Sequence, residues 1–413
     1  MLKELCGMSK NKVLLVSQNF YPEFFKSNDI AFELVKKGFE VDVLTGIPNY
    51  PQGEYYKGYG LFKKRIETVN GVKVYRVFQF PRGKKGGNLG LSLNYVSFMI
   101  SGVFWALYLS IFKSYDSVLI HLGSPITQAI PAIVIKIFRK TPIYSWVLDI
   151  WPDSAVLGGG INNKSIIGIL DCIVKFTYNK SDKILISSKS FKDLILQKGE
   201  YKDKIVYFPN WSEDLLNMPK VEIPALPDGF IIMMAGNLGV AQTLDAVMNA
   251  ALELKDNDNI KWVLIGDGSH KQWVEEFVKK HSLENSVYIM GRYPFEMMPS
   301  FYKNANALLL TLKADYPHIN AVVPARLQSY MAASRPVLAM ASGASADVIK
   351  ESDCGYVVDP EDYKSLVSII KEKVLTDKLG FELKGANGRK FFEKHYRKEK
   401  CLSNLVDIIK NNN

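Results

Sequence analysis

Three apolar segments in the second half of the chain are each followed directly by glycine. Gly236-Asn-Leu-Gly239 follows the first segment, Gly266-Asp-Gly268 the second and Gly291-Arg292 the third. Glycine lets the backbone approach a phosphate, and a helix that follows adds unpaired N–H groups. A single turn of this kind could need glycine for geometry only, whereas three in series predict the rim of a nucleotide-binding sheet. The chain lacks the three-glycine dinucleotide fingerprint and the phosphate-loop lysine, which argues against a nicotinamide dehydrogenase or a P-loop ATPase.

An arginine in the last third of the chain has a sequence context suited to diphosphate binding. Val323-Pro-Ala-Arg326 begins a predicted helix, because proline suits a helix start, and Arg335-Pro336 ends that helix before another apolar segment. A guanidinium and the N–H groups of a helix N-terminus donate to the same phosphate oxygens. We therefore predict that Arg326 is catalytic; the alternative is a solvated arginine. His318, in the loop before this helix, either approaches a sugar or is solvated.

Acidic residues in the first half are candidates for orienting an acceptor hydroxyl or contacting a sugar. Asp149 and Asp153 flank Trp151-Pro152 after a predicted strand, and Glu23 lies in the first loop. A structural role is the alternative, since aspartate favours helix caps: Asp153 would cap the next helix and Asp149 would anchor a loop. His121 ends a predicted strand and could face the donor, although a lone histidine there is more often structural.

The order of apolar segments predicts the elements that position these residues. Short β-branched or leucine-rich runs alternate with amphipathic stretches, as in Lys12–Ser17, Ile30–Lys37 and Glu40–Thr45, which is typical of parallel strands with crossover helices. An irregular, proline-bearing link follows Phe208, and a second such series begins after Pro227. We predict domains at 1–208 and 209–388, a C-terminal helix over 389–413 that returns to the first domain, and ligand binding at the carboxyl ends of the strands.

The composition is that of a globular protein with an anionic partner. The chain has 413 residues, of which 47% are hydrophobic, and a net charge of +10, which fits a nucleic acid, an acidic membrane or a phosphate-bearing substrate. Its four cysteines and five histidines lack metal-ligand or redox spacing. We therefore expect reduced cysteines and no metal. The absence of a recognised nucleic-acid motif disfavours nucleic acid, and the absence of a signal-peptide pattern predicts a cytoplasmic location.

Leu91–Phe112 is an uncharged run long enough to cross a bilayer as a helix. Asn94 and several serines dilute this run, and a strand-like segment follows at once, so a buried or membrane-facing helix is favoured over a true span. Arg82, Lys84 and Lys85 precede the run and are predicted to face anionic headgroups. The prediction is peripheral attachment to the inner face of the plasma membrane; a solvated basic loop before a core helix is the alternative.

The run from Pro324 to Leu338 resembles a stretch of family-4 glycosyltransferases in which proline-serine-lysine-leucine is followed by tyrosine-methionine-alanine. The resemblance is in particular to the branch that contains the WbuB-like and colanic-acid enzymes of bacterial surface polysaccharide synthesis. Further segments match that branch in the same order: Gln18–Glu23, Thr45–Pro51, Gly123–Pro125, Trp146–Asp153 and Gly236–Gln242. The resemblance implies a GT-B fold, an α/β fold of two Rossmann-like domains whose parallel sheets face each other across a cleft. It also implies retention of anomeric configuration, no metal or other cofactor, a nucleotide-sugar bound by the C-terminal domain and an acceptor bound by the N-terminal domain.

Two departures from the family pattern concern the donor. Many relatives have a pair of glutamates, the second of which reaches the ribose, where this chain has Ala321 and Ser329. The arginine and lysine that often follow the first strand of the C-terminal domain are replaced by Asn237 and Gln242. The cations that remain as candidates to neutralise the diphosphate are Arg326, Arg292 and Lys26.

The resemblance and the residues together predict a retaining glycosyltransferase for capsule, O-antigen or exopolysaccharide synthesis. The closest branch suggests a UDP-linked N-acetylated amino or deoxy sugar as donor and a lipid-pyrophosphate-linked saccharide as acceptor. A sugar-nucleotide epimerase and a non-catalytic basic membrane- or nucleic-acid-binding protein are the alternatives. The predicted donor-binding residues are Lys26, Gly236, Asn237, Gly239, Gln242, Gly266, Asp267, Gly268, Gly291, Arg292, Pro324, Ser329 and Tyr330. The predicted acceptor-binding residues are Asn49, Tyr50, Ser124 and Trp151.

Overall fold

The chain divides into two compact units. The first contains the described residues up to Ser187, then Phe191–Phe208 and those from Leu402 onward, and the second contains Ser188–Ser190 and Pro209–Cys401. The structure, a computed structural model, describes residues 11–83, 87–313 and 316–410. Lys84 and Lys85, which we predict to face a membrane, lie outside the described residues.

The first unit is built on an eight-stranded sheet. Its strands are β1 (Lys12–Val16), β2 (Glu40–Gly46), β3 (Ile66–Val69), β4 (Val72–Val77), β5 (Ser117–Leu122), β6 (Ile143–Val147), β7 (Lys183–Ile186) and β8 (Ile205–Tyr207). The order across the sheet is β3-β4-β2-β1-β5-β6-β7-β8, and only β3 runs antiparallel to its neighbour. Strands β5 and β6 are buried along their whole length, as expected for a parallel sheet with helices on both faces.

Helices α1 to α6 belong to this unit. They are α1 (Lys26–Lys36), α2 (Asn88–Phe112), α3 (Ile130–Arg139), α4 (Asp153–Gly159), α5 (Lys164–Lys180) and α6 (Phe191–Leu196), with short 3-10 turns at Ile126–Ala129 and Lys202–Lys204. The helix predicted to begin at Ile30 begins about one turn earlier. Its first residues are Lys26 and Ser27, which follow Phe25 in extended conformation.

Helix α2 covers the uncharged run, and its two faces differ. One side is buried against the unit through Asn94, Phe98, Ala106 and Leu109. The opposite side, which we call the apolar face of α2, is exposed and consists of Leu93, Ile100, Phe104, Tyr108 and Ile111. Among the described residues α2 is the one helix long and apolar enough to cross a membrane, a test that core helices also pass. One side of α2 therefore belongs to the core, and no element of the described part of the chain covers the other.

The second unit is built on a six-stranded sheet in which all pairs are parallel. Its strands are β9 (Phe230–Asn237), β10 (Ile260–Asp267), β11 (Val287–Gly291), β12 (Ala307–Thr311), β13 (Val337–Met340) and β14 (Gly355–Val358). The order is β11-β10-β9-β12-β13-β14. Apolar clusters cover both faces of the sheet, because alternate residues such as Ile232 and Met233 point to opposite sides.

The remaining helices begin in this unit. They are α7 (Leu244–Glu253), α8 (Lys271–His281), α9 (Met298–Lys303), α10 (Pro317–Asn320), α11 (Ala325–Ala332), α12 (Gly343–Ser352), α13 (Tyr363–Ile369), α14 (Lys378–His395) and α15 (Lys398–Lys410), with 3-10 turns at Leu215–Asn217, Val240–Gln242 and Phe295–Met297 and a π-helix at Ile370–Val374. These elements confirm the predicted α/β class with two mostly parallel sheets.

The C-terminal helix differs from the prediction for residues 389–413. Residue 389 lies inside α14, and its guanidinium forms an ion pair of 2.7 Å with Asp214 and donates to Ala332 O, which keeps α14 in the second unit. Only the residues of α15 from Leu402 onward belong to the first unit, where Lys410 lies 5.7 Å from the centre of the Phe39 ring.

Candidate functional site

The three glycine-bearing strand ends of the second unit lie side by side. In the parallel register Gly266 is opposite Gly236, and Gly291 follows at the end of the next strand, β11. Gly266 has a φ of 144°, and a Cβ there would lie 1.8 Å from the carbonyl oxygen of Gly236. The sequence prediction of adjacent glycine ends is therefore confirmed, and Gly266 is required by close backbone approach.

The loop after β9 is held by its own polar side chains. Gln242 is buried, and its Oε1 accepts a hydrogen bond of 3.1 Å from Gly239 N. A Cβ on Gly239 would lie 2.6 Å from the Asn237 amide nitrogen, and one on Gly268 would lie 2.4 Å from Leu238 O. The exposed Asp267 accepts a bond of 2.9 Å from Gly268 N. Gln242 therefore shapes the loop, while the backbone of the strand ends remains open to solvent at Gly236 and Asn237.

Arg326 lies at this rim. Helix α11 begins at Ala325 after an extended Pro324, so Arg326 is in the first turn as predicted. A Cβ built on Gly236 would lie 3.1 Å from Arg326 Nη2, which places the guanidinium directly over the end of β9. The Nη1 atom of Arg326 is buried and has no hydrogen-bond partner among the described residues. A buried cationic donor without an acceptor costs free energy, so the guanidinium is suited to an anionic ligand.

Tyr330, one turn after Arg326, fixes α11 to the sheet. Its hydroxyl accepts a bond of 3.3 Å from Ala235 N and donates one of 3.2 Å to Leu309 O. Burial raises the pKa of Tyr330, and the Arg326 guanidinium opposes that rise. Tyr330 is thus a neutral, fully buried group that positions the arginine helix.

Other predicted donor residues have different surroundings. Ser329 Oγ lies 3.2 Å from Ser212 Oγ, so the side chain at the position of the family's second glutamate is bonded within the unit. Arg292 is exposed, and Lys26, in the first unit, forms an ion pair of 3.8 Å with Asp29. Their donor-binding roles stay predictions. His318 is buried rather than solvated.

Glu23 of the first unit is buried at 1% exposure, and both carboxylate oxygens are engaged. Oε1 accepts bonds of 2.7 Å from the backbone nitrogens of Asn49 and Tyr50, and Oε2 accepts one of 2.9 Å from Asn19 Nδ2. Burial raises the pKa of Glu23, and these bonds oppose the rise. The predicted catalytic carboxylate is thus occupied in holding the loop at Asn49, and sequence reasoning missed this role because the donors are backbone groups.

The predicted acceptor residues Asn49 and Tyr50 differ in their burial and contacts. Asn49 is fully buried, and its side chain donates 3.0 Å to Ile47 O and accepts from Arg82 N at 3.3 Å, which makes it a structural residue of the loop. Tyr50 is 40% exposed, and the Arg82 guanidinium lies 4.9 Å from its ring centre. Arg82, predicted to face headgroups, is half-buried over this ring rather than extended into solvent.

Asp149, Ser124 and Trp151 form one hydrogen-bonded chain. Trp151 Nε1 donates 3.1 Å to Ser124 Oγ, which donates 2.7 Å to Asp149 Oδ2. Ser154 Oγ donates to the other oxygen of Asp149. Asp153 is the first residue of α4, and the N-cap position before it is occupied by Pro152. The structure therefore brings together Asp149, Ser124 and Trp151 among the predicted residues.

A cavity of about 650 Å³ within the first unit is lined in part by these hydrogen-bonded side chains. Helix α2 supplies Leu91, Tyr95 and Val96 to its wall, and α5 supplies Ile166 and Leu170. No sequence motif predicts this cavity, because its apolar residues have the pattern of ordinary core positions in two separate helices.

His121 lies in the core beneath these loops. Its Nδ1 is 3.5 Å from Ser17 Oγ, and its ring centre is 5.5 Å from that of Trp146. Burial lowers the pKa of His121 to about 4, so the imidazole is neutral at pH 7. These contacts favour the structural alternative. Within residues 11–83, 87–313 and 316–410, no group of three or more His, Cys, Asp and Glu is placed to hold a metal ion.

Comparison with known families identifies the second unit. Residues 220–388 match the family model described as "Glycosyl transferases group 1". The chain carries a group 1 glycosyltransferase domain. The matched region includes the three glycine ends, Arg326 and Tyr330, so the rim described above belongs to this domain.

Proteins similar to this chain match it over nearly its whole length. The putative colanic acid biosynthesis glycosyl transferase WcaI of Escherichia coli is 24% identical, covering 97% of this chain and all of the relative. A sucrose-phosphate synthase of Thermosynechococcus elongatus has a TM-score of 0.73 at 13% identity, covering 97% of this chain and 99% of the other. HepE of Anabaena, solved in complex with UDP, has a TM-score of 0.67 at 13% identity, covering 98% and 100%. The glycosyltransferase therefore has the GT-B fold that its sequence resemblance implied.

Proposed function

We propose that this glycosyltransferase transfers a sugar, with retention of anomeric configuration and without a metal ion, from a UDP-sugar to a lipid-linked saccharide. The observation that carries the proposal is the Arg326 guanidinium, which lies over Gly236 at the strand ends. Its Nη1 is buried and has no hydrogen-bond partner among the residues that the structure describes. Such an arrangement suits the diphosphate of a nucleotide-sugar. The UDP and UDP-glucose complexes of HepE, a protein of the same fold, support the choice of nucleotide.

The chemistry that this proposal needs is departure of the nucleotide diphosphate while positive charge develops at the anomeric carbon. Arg326 and the N–H groups at the start of α11 would stabilise the charge on the leaving group through fixed donors, which is the largest catalytic contribution available here. The leaving phosphate would take the proton of the acceptor hydroxyl. No pair of free carboxylates is then required, which agrees with Glu23 being fully hydrogen-bonded.

Membrane attachment and a lipid-linked acceptor are supported by the surface of the first unit. The apolar face of α2 is exposed along the helix, with Phe104 at 67% and Ile111 at 68%. Arg139 donates to the carbonyls of Ser110 and Ile111 at the C-terminal end of α2, and the exposed Lys140 follows it. An apolar face with cations at its end fits an anionic bilayer surface.

Thermal shift with nucleotides tests the donor. UDP is expected to raise the melting temperature in a concentration-dependent way, equally with and without EDTA. Stabilisation by UDP that disappears in EDTA would contradict metal independence. If UDP, GDP, TDP and ADP all left the melting temperature unchanged, the proposal would be wrong.

Vesicle sedimentation tests the membrane part. Phe104→Asp combined with Ile111→Asp should release the protein from vesicles that contain phosphatidylglycerol. Leu383→Asp is the matched control, since Leu383 is also exposed, at 65%, but belongs to the second unit. Equal binding of both variants would exclude the apolar face of α2 as the attachment surface.

A further inference from the structure

The cavity of the first unit combines an apolar wall with polar residues, some of which are hydrogen-bonded to one another. Leu91, Ile166 and Leu170 are among the apolar residues that line it. Its polar lining includes Ser124, Asp149 and Trp151, which are linked by hydrogen bonds. The other polar residues of the lining are Ser92, Thr127, Ser154, Asn162 and Asn163. A cavity of about 650 Å³ is within the size range of small-molecule sites, and its apolar wall favours a hydrocarbon ligand.

An unpaired cationic group lies beside the cavity. The Arg82 guanidinium is 5.7 Å from the ring centre of Tyr95, a residue of the cavity wall. The Nε atom of Arg82 is buried and has no hydrogen-bond partner among the described residues. Arg82 and Asp149 both act electrostatically on Tyr95, so the cation and the polar cluster are close to the same part of the wall. A phosphate oxygen is the acceptor that would best satisfy Nε.

The cavity wall continues into the exposed surface of the unit. Val96 lines the cavity and is 46% exposed, and it is on the same helix as Leu93 of the apolar face of α2. Ile166, across the cavity on α5, is 45% exposed. A long chain bound in the cavity can therefore reach exposed apolar side chains of α2 and α5.

We propose that this cavity binds the hydrocarbon chain of a phosphorylated lipid acceptor, with Arg82 as the ligand of its phosphate. The inference rests on the proposed function and adds the location of the lipid. A phosphate bound at Arg82 would give Nε the acceptor that it lacks among the described residues. A hydrocarbon chain bound between α2 and α5 would contact the apolar wall and reach the apolar face of α2. The occupant is the acceptor itself and not a bulk phospholipid of the membrane.

Photocross-linking with a soluble isoprenoid diphosphate that carries a benzophenone on its chain tests the location. Cross-links are expected in the peptides of residues 91–96 and 161–170. Leu170→Trp fills the cavity and should lower the cross-linked yield about tenfold. Ile169→Trp is the matched control, because Ile169 is the adjacent residue of the same helix, does not line the cavity and is 61% exposed. Its yield should equal that of the wild type.

Competition separates the two parts of the proposal. The isoprenoid alcohol without phosphate should compete much less well than the diphosphate, and Arg82→Gln should remove that difference. Equal competition by alcohol and diphosphate in the wild type would overturn the role of Arg82. Displacement by short-chain phosphatidylglycerol as effective as that by the diphosphate would show a site for bulk lipid and overturn the choice of occupant.

Stabilisation by UDP, measured on the same samples, distinguishes the two levels of failure. If UDP stabilises the wild type and Leu170→Trp equally while cross-links fall outside 91–96 and 161–170, only the cavity assignment is wrong. If UDP fails to stabilise the wild type, the proposed function is wrong whatever the cross-links show. Loss of UDP stabilisation in Leu170→Trp alone would indicate damage to the fold, and Ala155→Phe, at another cavity position, then replaces it with the same expected loss of cross-linking.

Discussion

Arg326 of the second unit and Glu23 of the first are both ionisable residues near the carboxyl end of a first strand, yet their surroundings are opposite. Arg326 has a buried nitrogen that finds no partner within the described residues, and it lies over a glycine that leaves room for it. Glu23 accepts hydrogen bonds from three donors of its own unit. A charged group whose hydrogen bonds are already made stabilises a loop, whereas one whose donors are unpaired has capacity for a ligand.

Replacing Arg326 tests the ligand half of this comparison and has the largest expected effect. Arg326→Ala should lower kcat/KM for glycosyl transfer by about 100- to 1,000-fold, since one preorganised donor to the leaving group is lost. The melting temperature without ligand should stay close to that of the wild type, because the buried Nη1 of Arg326 has no hydrogen-bond partner in the part of the chain that the structure describes. Arg292→Ala is the companion variant, with a smaller loss expected because Arg292 is exposed. Near-normal transfer by Arg326→Ala would contradict the proposed donor site.

Replacing Glu23 tests the structural half. Glu23→Ala leaves the buried N–H groups of Asn49 and Tyr50 unpaired and should destabilise the first unit by about 3 kcal/mol, measured by hydrogen exchange of its core amides. Glu23→Gln keeps an acceptor oxygen and should cost less than about 1 kcal/mol. Transfer activity of Glu23→Gln is the discriminating measurement. A large loss of activity at unchanged stability would mean that Glu23 acts on the substrate after all.

The neutral state of His121 makes the first unit sensitive to acid. Its pKa is lowered to about 4 in the folded protein, so its contribution to stability is present above its ordinary value of 6.5 and is lost as the pH falls toward 4. The loss should approach roughly 3 kcal/mol at the acid end. His121→Gln should flatten this part of the pH profile, measured as hydrogen exchange of β5 and β6 between pH 7 and pH 4. An unchanged profile in the variant would assign the acid sensitivity to other groups.

The smallest expected effect concerns the glycine beneath Arg326. Gly236→Ala brings a methyl group 3.1 Å from Arg326 Nη2 and should weaken UDP binding by about three- to tenfold, measured by titration calorimetry. Gly38→Ala, which lies outside the predicted donor site, is the control, because its φ is also positive, at 90°, while nothing lies within 4 Å of the added methyl group. Both variants place alanine at a positive φ, and Gly236→Ala in addition brings its methyl group against Arg326. Equal affinities would remove the guanidinium from the binding argument.

The sequence predicts the sheet of the second unit well. Its strands are largely apolar runs, of which β9 to β12 end in glycine or a polar residue, and their order along the chain gives adjacent strand ends in a parallel sheet. The first unit is harder to predict. Strands β3 and β4 contain charged residues such as Glu67 and Lys73, and β8 has only three residues. None of these three strands therefore has a strong apolar signal in the sequence.

The surroundings of the polar residues could not be predicted in the same way. Local sequence shows that Glu23 and Asp149 lie in loops. It does not show that backbone N–H groups 26 and 27 residues away donate to Glu23. Nor does it show that two serine hydroxyls donate to Asp149. These partners depend on how loops from different strands meet. The side of α2 that is covered likewise follows from tertiary packing, because the helix is apolar all round and its sequence has little polarity to orient it.

The path of the chain determines how this protein can be dissected. Because α15 from Leu402 onward belongs to the first unit, where Leu402, Leu405 and Ile409 are buried, the chain passes from the first unit to the second and returns. No single proteolytic cut can release an intact first unit, and a fragment that stops at residue 208 would lack part of its core. An independently folding version needs residues 402–410 joined to residue 208 through a linker, or supplied as a separate peptide. Complementation by that peptide would then report on the completeness of the first unit without any substrate.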